Sequence, residues 1–140
     1  MAETVIKRGS TGNGVVGAFI HEGFTQYGIQ NEVSLNFSEF CFVAENRDGN
    51  MIGAISGRAY YNEVHIGDLI IDEKYRRCGL GSRLVRTVED AYQGKGYDII
   101  TLSTFGFQAP EFYKKLGYEL EFVREDRDPK LSKYFYLKKI

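Results

Sequence analysis

Apolar residues recur along this chain with two different periods, and the switches between them mark out its elements. EFCFVAENR and MIGAISGRAY are β-branched and aromatic runs on either side of Asp48-Gly49, a dipeptide that readily takes the positive φ angles of a tight turn. They read as an antiparallel hairpin. VHIGDLIID, residues 64–72, is a third strand that ends the meander. From Leu80 the period lengthens: Leu84, Val85, Val88, Ala91 and Tyr92 fall on one helical face, and Gly94-Lys95-Gly96 supplies the stop. YDIITLST (97–104) then reads as a buried strand, APEFYKKLG as a short helix closed by Gly117, and YELEFV and KYFYLKK as two final strands. REDRDPKLSK between those last strands is a solvated turn. Upstream, TVIK (4–7) is a candidate first strand, and Val16, Phe19, Ile20, Phe24 and Tyr27 step by three and four residues, predicting a helix that Gly17 and Gly23 weaken. The order is α/β (α+β), an antiparallel meander followed by a strand-helix-strand unit.

At 140 residues with 43% hydrophobic content, the chain is expected to be one domain, 1–140, with a substantial core. Eighteen basic and nineteen acidic side chains leave a formal charge of -1, so no global field draws it to nucleic acid or to an anionic membrane. Any polyanion has to be held locally. Cys41 and Cys78 have neither CxxC spacing nor clustered histidines, which argues against a disulfide framework and against a zinc or other metal site. MAETVIKRGS lacks an apolar signal core, and no apolar run approaches the roughly 18 residues of a membrane span. A soluble, cytoplasmic protein with reduced thiols is the expectation.

The stretch YRRCGLGSRL, residues 75–84, sets two arginines and two glycines at the start of the clearest helix. A helix N-terminus carries unpaired amides and partial positive charge, a receptor for phosphate oxygens. Gly79 and Gly81 would let a pyrophosphate approach the amides of residues 77–82, with Arg76 or Arg77 adding charge-assisted contacts; a glycine-rich turn with surface arginines is the plainer alternative. No Walker Gly-Lys-Ser/Thr tripeptide occurs. The dinucleotide pattern G-x-G-x-x-G does occur, as Gly12-Asn13-Gly14-Val15-Val16-Gly17, but without a clear strand before it or a parallel strand ending in an acid after it.

Arg76-x-x-Gly79-x-Gly81, preceded by LIIDEKY and followed by APEFYKKLGYE, resembles the paired signature of the GNAT superfamily of N-acetyltransferases. The resemblance is firm over the centre of the chain and faint before residue 38. TFGFQAPEFYKKLGY further resembles a bacterial subset of the family. The fold implied is a mixed, mostly antiparallel sheet flanked by helices, splayed beside the strand 64–72. The chemistry implied is acetyl transfer from acetyl-CoA, the co-substrate, to a primary amine, with a homodimer as the family-level expectation.

On that resemblance the main chain of Arg76, Arg77, Cys78, Gly79, Leu80, Gly81 and Ser82 would hold the CoA pyrophosphate. Backbone groups of Leu69, Ile70 and Ile71 would pair with the pantetheine arm like another strand, and the Leu69 amide would polarise the thioester carbonyl. Tyr113 would protonate the departing sulfur, since a phenol with a pKa of about 10 keeps its proton at neutral pH; the plainer role for Phe112 and Tyr113 is to pack the short helix. An alkylammonium acceptor, pKa about 10.4, must lose a proton before attacking. His65, four residues before Leu69, is expected on the same face of its strand by period-two alternation and suits that task directly or through water; Asp68 is expected on the opposite face. Cys78 as a nucleophile is disfavoured, because a bound pyrophosphate would oppose its thiolate. Many relatives carry asparagine seven residues before the tyrosine; here Gly106 stands there, with Gln108 nearby as a substitute contact.

Two other functions compete with a directly transferring N-acetyltransferase: a non-catalytic acyl-CoA-binding or sensing module, and a nicotinamide-dinucleotide protein built on Gly12–Gly17. The acceptor, a small molecule or a protein lysine, is not readable. Its selectivity is expected in the first helical region and in the loops near 105–110 and 124–133, with Glu22, Glu32, Glu39 and Glu63 as candidate attractors of a cationic amine or simply solvated carboxylates.

Overall fold

A computed structural model describes residues 3–12 and 14–140, so Asn13 of the G-x-G-x-x-G pattern and the first two residues of the N-terminal stretch lie outside the described residues. The chain forms two compact units, Met1–Leu35 and Asn36–Ile140.

In the first unit, residues 3–12 form neither helix nor strand. The strand expected over 4–7 is absent, since a strand exists only by pairing and the exposed Val5 and Ile6 have no partner strand in this unit. Helix α1, Val15–Gln30, follows Gly14, whose φ of 79° marks the bend into it. The helix ends at Asn31, whose Nδ2 donates to the Tyr27 carbonyl at 2.8 Å. The chain then folds back so closely that a Cβ on Gly28 would lie 2.3 Å from the Val33 carbonyl oxygen. The dinucleotide pattern thus opens a helix with no strand ahead of it.

The second unit is built on six strands: β1 Ser38–Glu45, β2 Met51–Tyr60, β3 Glu63–Ile71, β4 Ile99–Phe105, β5 Glu119–Arg124 and β6 Lys133–Lys139. Their order is β1-β2-β3-β4-β6-β5. The hairpin turns at Gly49, φ 81°, as the Asp-Gly dipeptide predicts. Helix α2, Leu80–Tyr92, buries Leu84, Val85 and Val88, and helix α3, Pro110–Lys115, buries Tyr113. These meet Ile55, Ala59, Val64, Ile66, Ile100, Leu102 and Tyr136 on one face of the sheet, which is where the core sits. The charged run before β6 is tightened by a 3-10 turn, Pro129–Leu131, capped by the Asp128 side chain accepting from the Lys130 amide.

Two irregularities of β3 shape everything near it. Its parallel pairing with β4 covers Glu63 with Ile99, Val64 with Ile100 and His65 with Thr101, and stops there. Both strands run on, β3 to Ile71 and β4 to Phe105, so the sheet splays open between them. The second irregularity is a bulge. β2 pairs Ser56 with Asp68 but Gly57 with Ile66, leaving Gly67 without a counterpart. Side chains opposed across an antiparallel pair share a face, so Val64, Ile66, Leu69 and Ile71 lie with Ala59, Gly57, Ile55 and Gly53 on the core face. His65, Asp68 and Ile70 lie on the other. The expectation for His65 is therefore corrected: the inserted Gly67 reverses the alternation, placing His65 opposite Leu69 and on the same face as Asp68.

Candidate active site

The start of α2, like those of α1 and α3, is left without a side-chain cap. The two 3-10 turns, Glu73–Tyr75 and Pro129–Leu131, are each capped by an aspartate, Asp72 and Asp128. Helix α2 has no side-chain cap and no acidic residue in its first turn. Its N-cap is Gly79 at φ 83°, a left-handed conformation that L side chains adopt only with strain. Arg77, two residues earlier, takes φ 63° despite its side chain. Among the described residues no acceptor faces the amides of Gly79 to Ser82, and Arg83 is the first to donate within the helix, to the Gly79 carbonyl at 3.1 Å. Those amides, with Arg76, Arg77 and Arg83 exposed around them, make the helix start locally positive. Arg76 is itself anchored, its Nε donating to the Ile71 carbonyl at 3.0 Å, which ties the loop to the end of β3.

The two glycines of this loop do different things. Gly79 is needed for its φ, and a Cβ there would meet nothing within 4 Å. A Cβ on Gly81 would lie 3.2 Å from Phe112 Cζ and 3.9 Å from Ile71 Cγ1. Gly81 therefore brings the first turn of α2, the end of β3 and helix α3 together, and its absent side chain serves packing at least as much as any ligand. Phe112 in turn stands edge-on to Tyr113, with ring centroids 4.9 Å apart.

Tyr113 is buried against the rings of Phe112, Tyr118 and Tyr136, so the packing role is its own. Burial lifts its phenol to about 12, so the hydroxyl stays protonated throughout the neutral range. Among the described residues its oxygen has no hydrogen-bond partner, although no fully buried polar side-chain atom lacks one. The hydroxyl thus reaches solvent with its proton unspent.

At the origin of the splay, His65 Nδ1 lies 2.9 Å from Thr101 Oγ1, and Thr101 donates to Glu63 Oε2 at 2.6 Å. Tyr60 also donates to Glu63 Oε2, at 3.2 Å. Desolvation and, after it, the Arg58 charge hold the half-buried imidazole below its ordinary value, with Lys133 adding to the effect and Glu63 opposing it. His65 is neutral at pH 7. Nothing in the sequence pointed to Thr101 beyond its being a polar residue in a buried run, because the contact depends on a parallel pairing across 36 residues.

The turn after β4 explains why this chain has glycine at 106. A Cβ there would lie 2.2 Å from the Pro129 carbonyl oxygen, and the Gly106 amide donates to Ser132 at 2.8 Å. The loop before β6 occupies the space an asparagine would need. Gln108 Oε1 accepts from the Phe105 amide at 2.9 Å, so its carbonyl end is used in closing the turn and only its Nε2 is left for a ligand.

A sheet splayed beside a bulged strand, an uncapped arginine-rich helix start and a buried tyrosine on the next helix together match a known arrangement. A model of the acetyltransferase (GNAT) family matches residues 17–118. The chain belongs to the acetyltransferase (GNAT) family. Blasticidin-S acetyltransferase of Streptomyces morookaense is 31% identical over 93 residues, 66% of this chain and 68% of that protein. The crystal structure of an acetyltransferase from Bacillus cereus superposes with a TM-score of 0.80 at 34% identity, covering 98% of each chain. A GNAT family acetyltransferase from Elizabethkingia anophelis with acetyl-CoA bound shares the fold at 17% identity and a TM-score of 0.63, over 85% of this chain and 82% of the other. The chain is an acetyltransferase with the GNAT fold, and among the described residues no helix is long and apolar enough to cross a membrane.

Proposed function

We propose that this GNAT enzyme carries acetyl from acetyl-CoA directly to a primary amine, with Arg76, Arg77, Cys78, Gly79, Leu80, Gly81 and Ser82 holding the pyrophosphate. The observation that carries this is the uncapped start of α2, tied through Arg76 and Gly81 to the end of a strand whose far edge has lost its partner. Past His65, the β3 edge has no strand opposite it, and a pantetheine arm is a chain of amides able to pair along Leu69, Ile70 and Ile71. The Leu69 amide would polarise the acetyl carbonyl, and neutral His65, four residues earlier on the same strand with its side chain on the opposite face, takes a proton from the incoming ammonium directly or through water. Tyr113 gives its proton to the departing thiolate and recovers one from the nitrogen of the new amide, so the products are an amide, CoA thiol and the one proton that leaves through His65. The charges balance without an acyl-enzyme, and Cys78, whose Sγ donates to the Tyr75 carbonyl at 2.6 Å, is not needed as a nucleophile. Gln108 contributes at most its Nε2. Cys41 and Cys78, both free and exposed, suit a reducing compartment, and we read the enzyme as cytoplasmic.

The acceptor is a cationic amine whose identity a screen has to supply. Blasticidin S and aminoglycosides belong in it, because related proteins bear the corresponding acetyltransferase names, alongside polyamines and lysine peptides. The assay is amine-stimulated release of CoA thiol from acetyl-CoA. Tight CoA binding by calorimetry with no stimulation by any amine would sink the transferase in favour of a sensing module. A CoA complex whose pyrophosphate lies away from residues 76–82 would sink the site.

A further inference from the structure

We propose that Thr101 and Glu63 are positioning residues that lock His65 in its Nδ1–H tautomer and so present an unprotonated Nε2 as the proton acceptor. This rests on the reading of His65 as the base. The deduction is one of proton counting. A threonine hydroxyl has a single proton to give, and an ionised carboxylate only accepts. The 2.6 Å separation of Thr101 Oγ1 from Glu63 Oε2 falls in the range of a charge-assisted O–H···O⁻ bond, so that proton is spent on Glu63. The lone pairs of Oγ1 then face His65 Nδ1 at 2.9 Å, and only an N–H there makes a bond. Tyr60 donates its own hydroxyl to the same Glu63 oxygen, which keeps the carboxylate in place as the end of the chain.

The groups that face His65 also keep its ring neutral. Arg58 on β2 is its cross-strand partner and Lys133 approaches from β6, both opposing a second proton. Glu63 on β3 favours one, and Asp68 shares the same face of that strand. With Nδ1 committed to Thr101, the vacant basic site on the ring is Nε2.

Long-range ¹H–¹⁵N spectroscopy of the imidazoles tests this on the intact protein. The chain has two histidines, so His21→Gln leaves the His65 signals alone. The expected spectrum above neutral pH shows Nδ1 protonated and Nε2 bare. Thr101→Val should move it toward the Nε2–H form and lower kcat/KM about ten-fold, the worth of one hydrogen bond, while Thr101→Ser restores both. Glu63→Gln should shift the acidic limb of kcat/KM to lower pH, because a charge that favours protonation is gone. An Nε2–H ring in the wild type, or a Thr101→Val enzyme with full activity, overturns the inference. Full activity in His65→Ala overturns the base assignment instead, and leaves the tautomer measurement to stand or fall alone.

Discussion

Restoring the asparagine that many GNAT enzymes carry at position 106 should cost this protein its stability. The perturbation is steric and begins at Cβ. In Gly106→Asn that atom would lie 2.2 Å from the Pro129 carbonyl oxygen, where ordinary contacts are 3.4–4 Å. The Pro129 segment has to retreat by about 1 Å, and three main-chain hydrogen bonds hold it where it is. Gly106 donates to Ser132 at 2.8 Å, Phe107 to Lys130 at 3.1 Å and Ser132 to Pro129 at 3.2 Å. At about 1 kcal/mol each, the loss is on the order of 3 kcal/mol, or roughly 10 °C in Tm for a chain of this size. Thermal and urea denaturation of Gly106→Asn and Gly106→Ala measure it, and the alanine variant should lose nearly as much because the clash precedes the amide. A Tm within about 2 °C of wild type for both would refute the claim that the loop before β6 excludes a side chain here. A loss in the asparagine variant alone would move the cause from Cβ to the amide.

Tyr113→Phe should lower kcat about 10²-fold with CoA affinity unchanged by calorimetry and a melting temperature within about 2 °C of wild type, since the hydroxyl has no protein partner to lose. With that phenol at about 12, no alkaline fall in rate below about pH 11 should disappear in the variant. His65 must be neutral to accept a proton, and its value is held down by desolvation first and Arg58 next, so kcat/KM should fall only below about pH 6.5. The same sign governs stability: the folded ring resists protonation, so its contribution is present above pH 6.5 and lost as pH falls through the folded value, which titration of the His65 signals against urea midpoints would check. Glu89→Ala should cost about 2 kcal/mol by urea denaturation, because Glu89 Oε2 accepts from the buried Tyr118 hydroxyl at 2.9 Å and from Lys138 at 3.2 Å; Glu89→Gln should cost less.

Strands and the main helix were legible in the sequence because their periods are clean, and the family signature was legible because it is local. β1, β2, β4, β6 and α2 fall within two residues or so of the runs that predicted them. TVIK failed for the complementary reason, having two apolar residues and no strand to pair with. Gly67 was the one informative letter that alternation alone passed over. A glycine inside a strand signals a bulge, and counting it as an ordinary position turned His65 onto the wrong face.

The site itself was half legible, and the missing half is long-range. Gly79 and Gly81 sit two residues apart in one motif, yet the first answers to its own backbone angle and the second to Phe112, thirty-one positions onward. Gly106 read as a missing ligand contact; the structure makes it a place where Pro129 has moved in. His65 read as an isolated base, while its proton inventory depends on Thr101 and Glu63 across the one parallel pairing that ends where the sheet opens. These cases share a cause. A motif specifies which main-chain atoms meet the cofactor, because that geometry is local to a strand end and a helix start. What fixes each side chain's protonation, packing and tolerance is the neighbour brought in by topology, and just before the splay proposed to take the pantetheine arm, β3 and β4 are paired closely enough to place a threonine between a histidine and a glutamate.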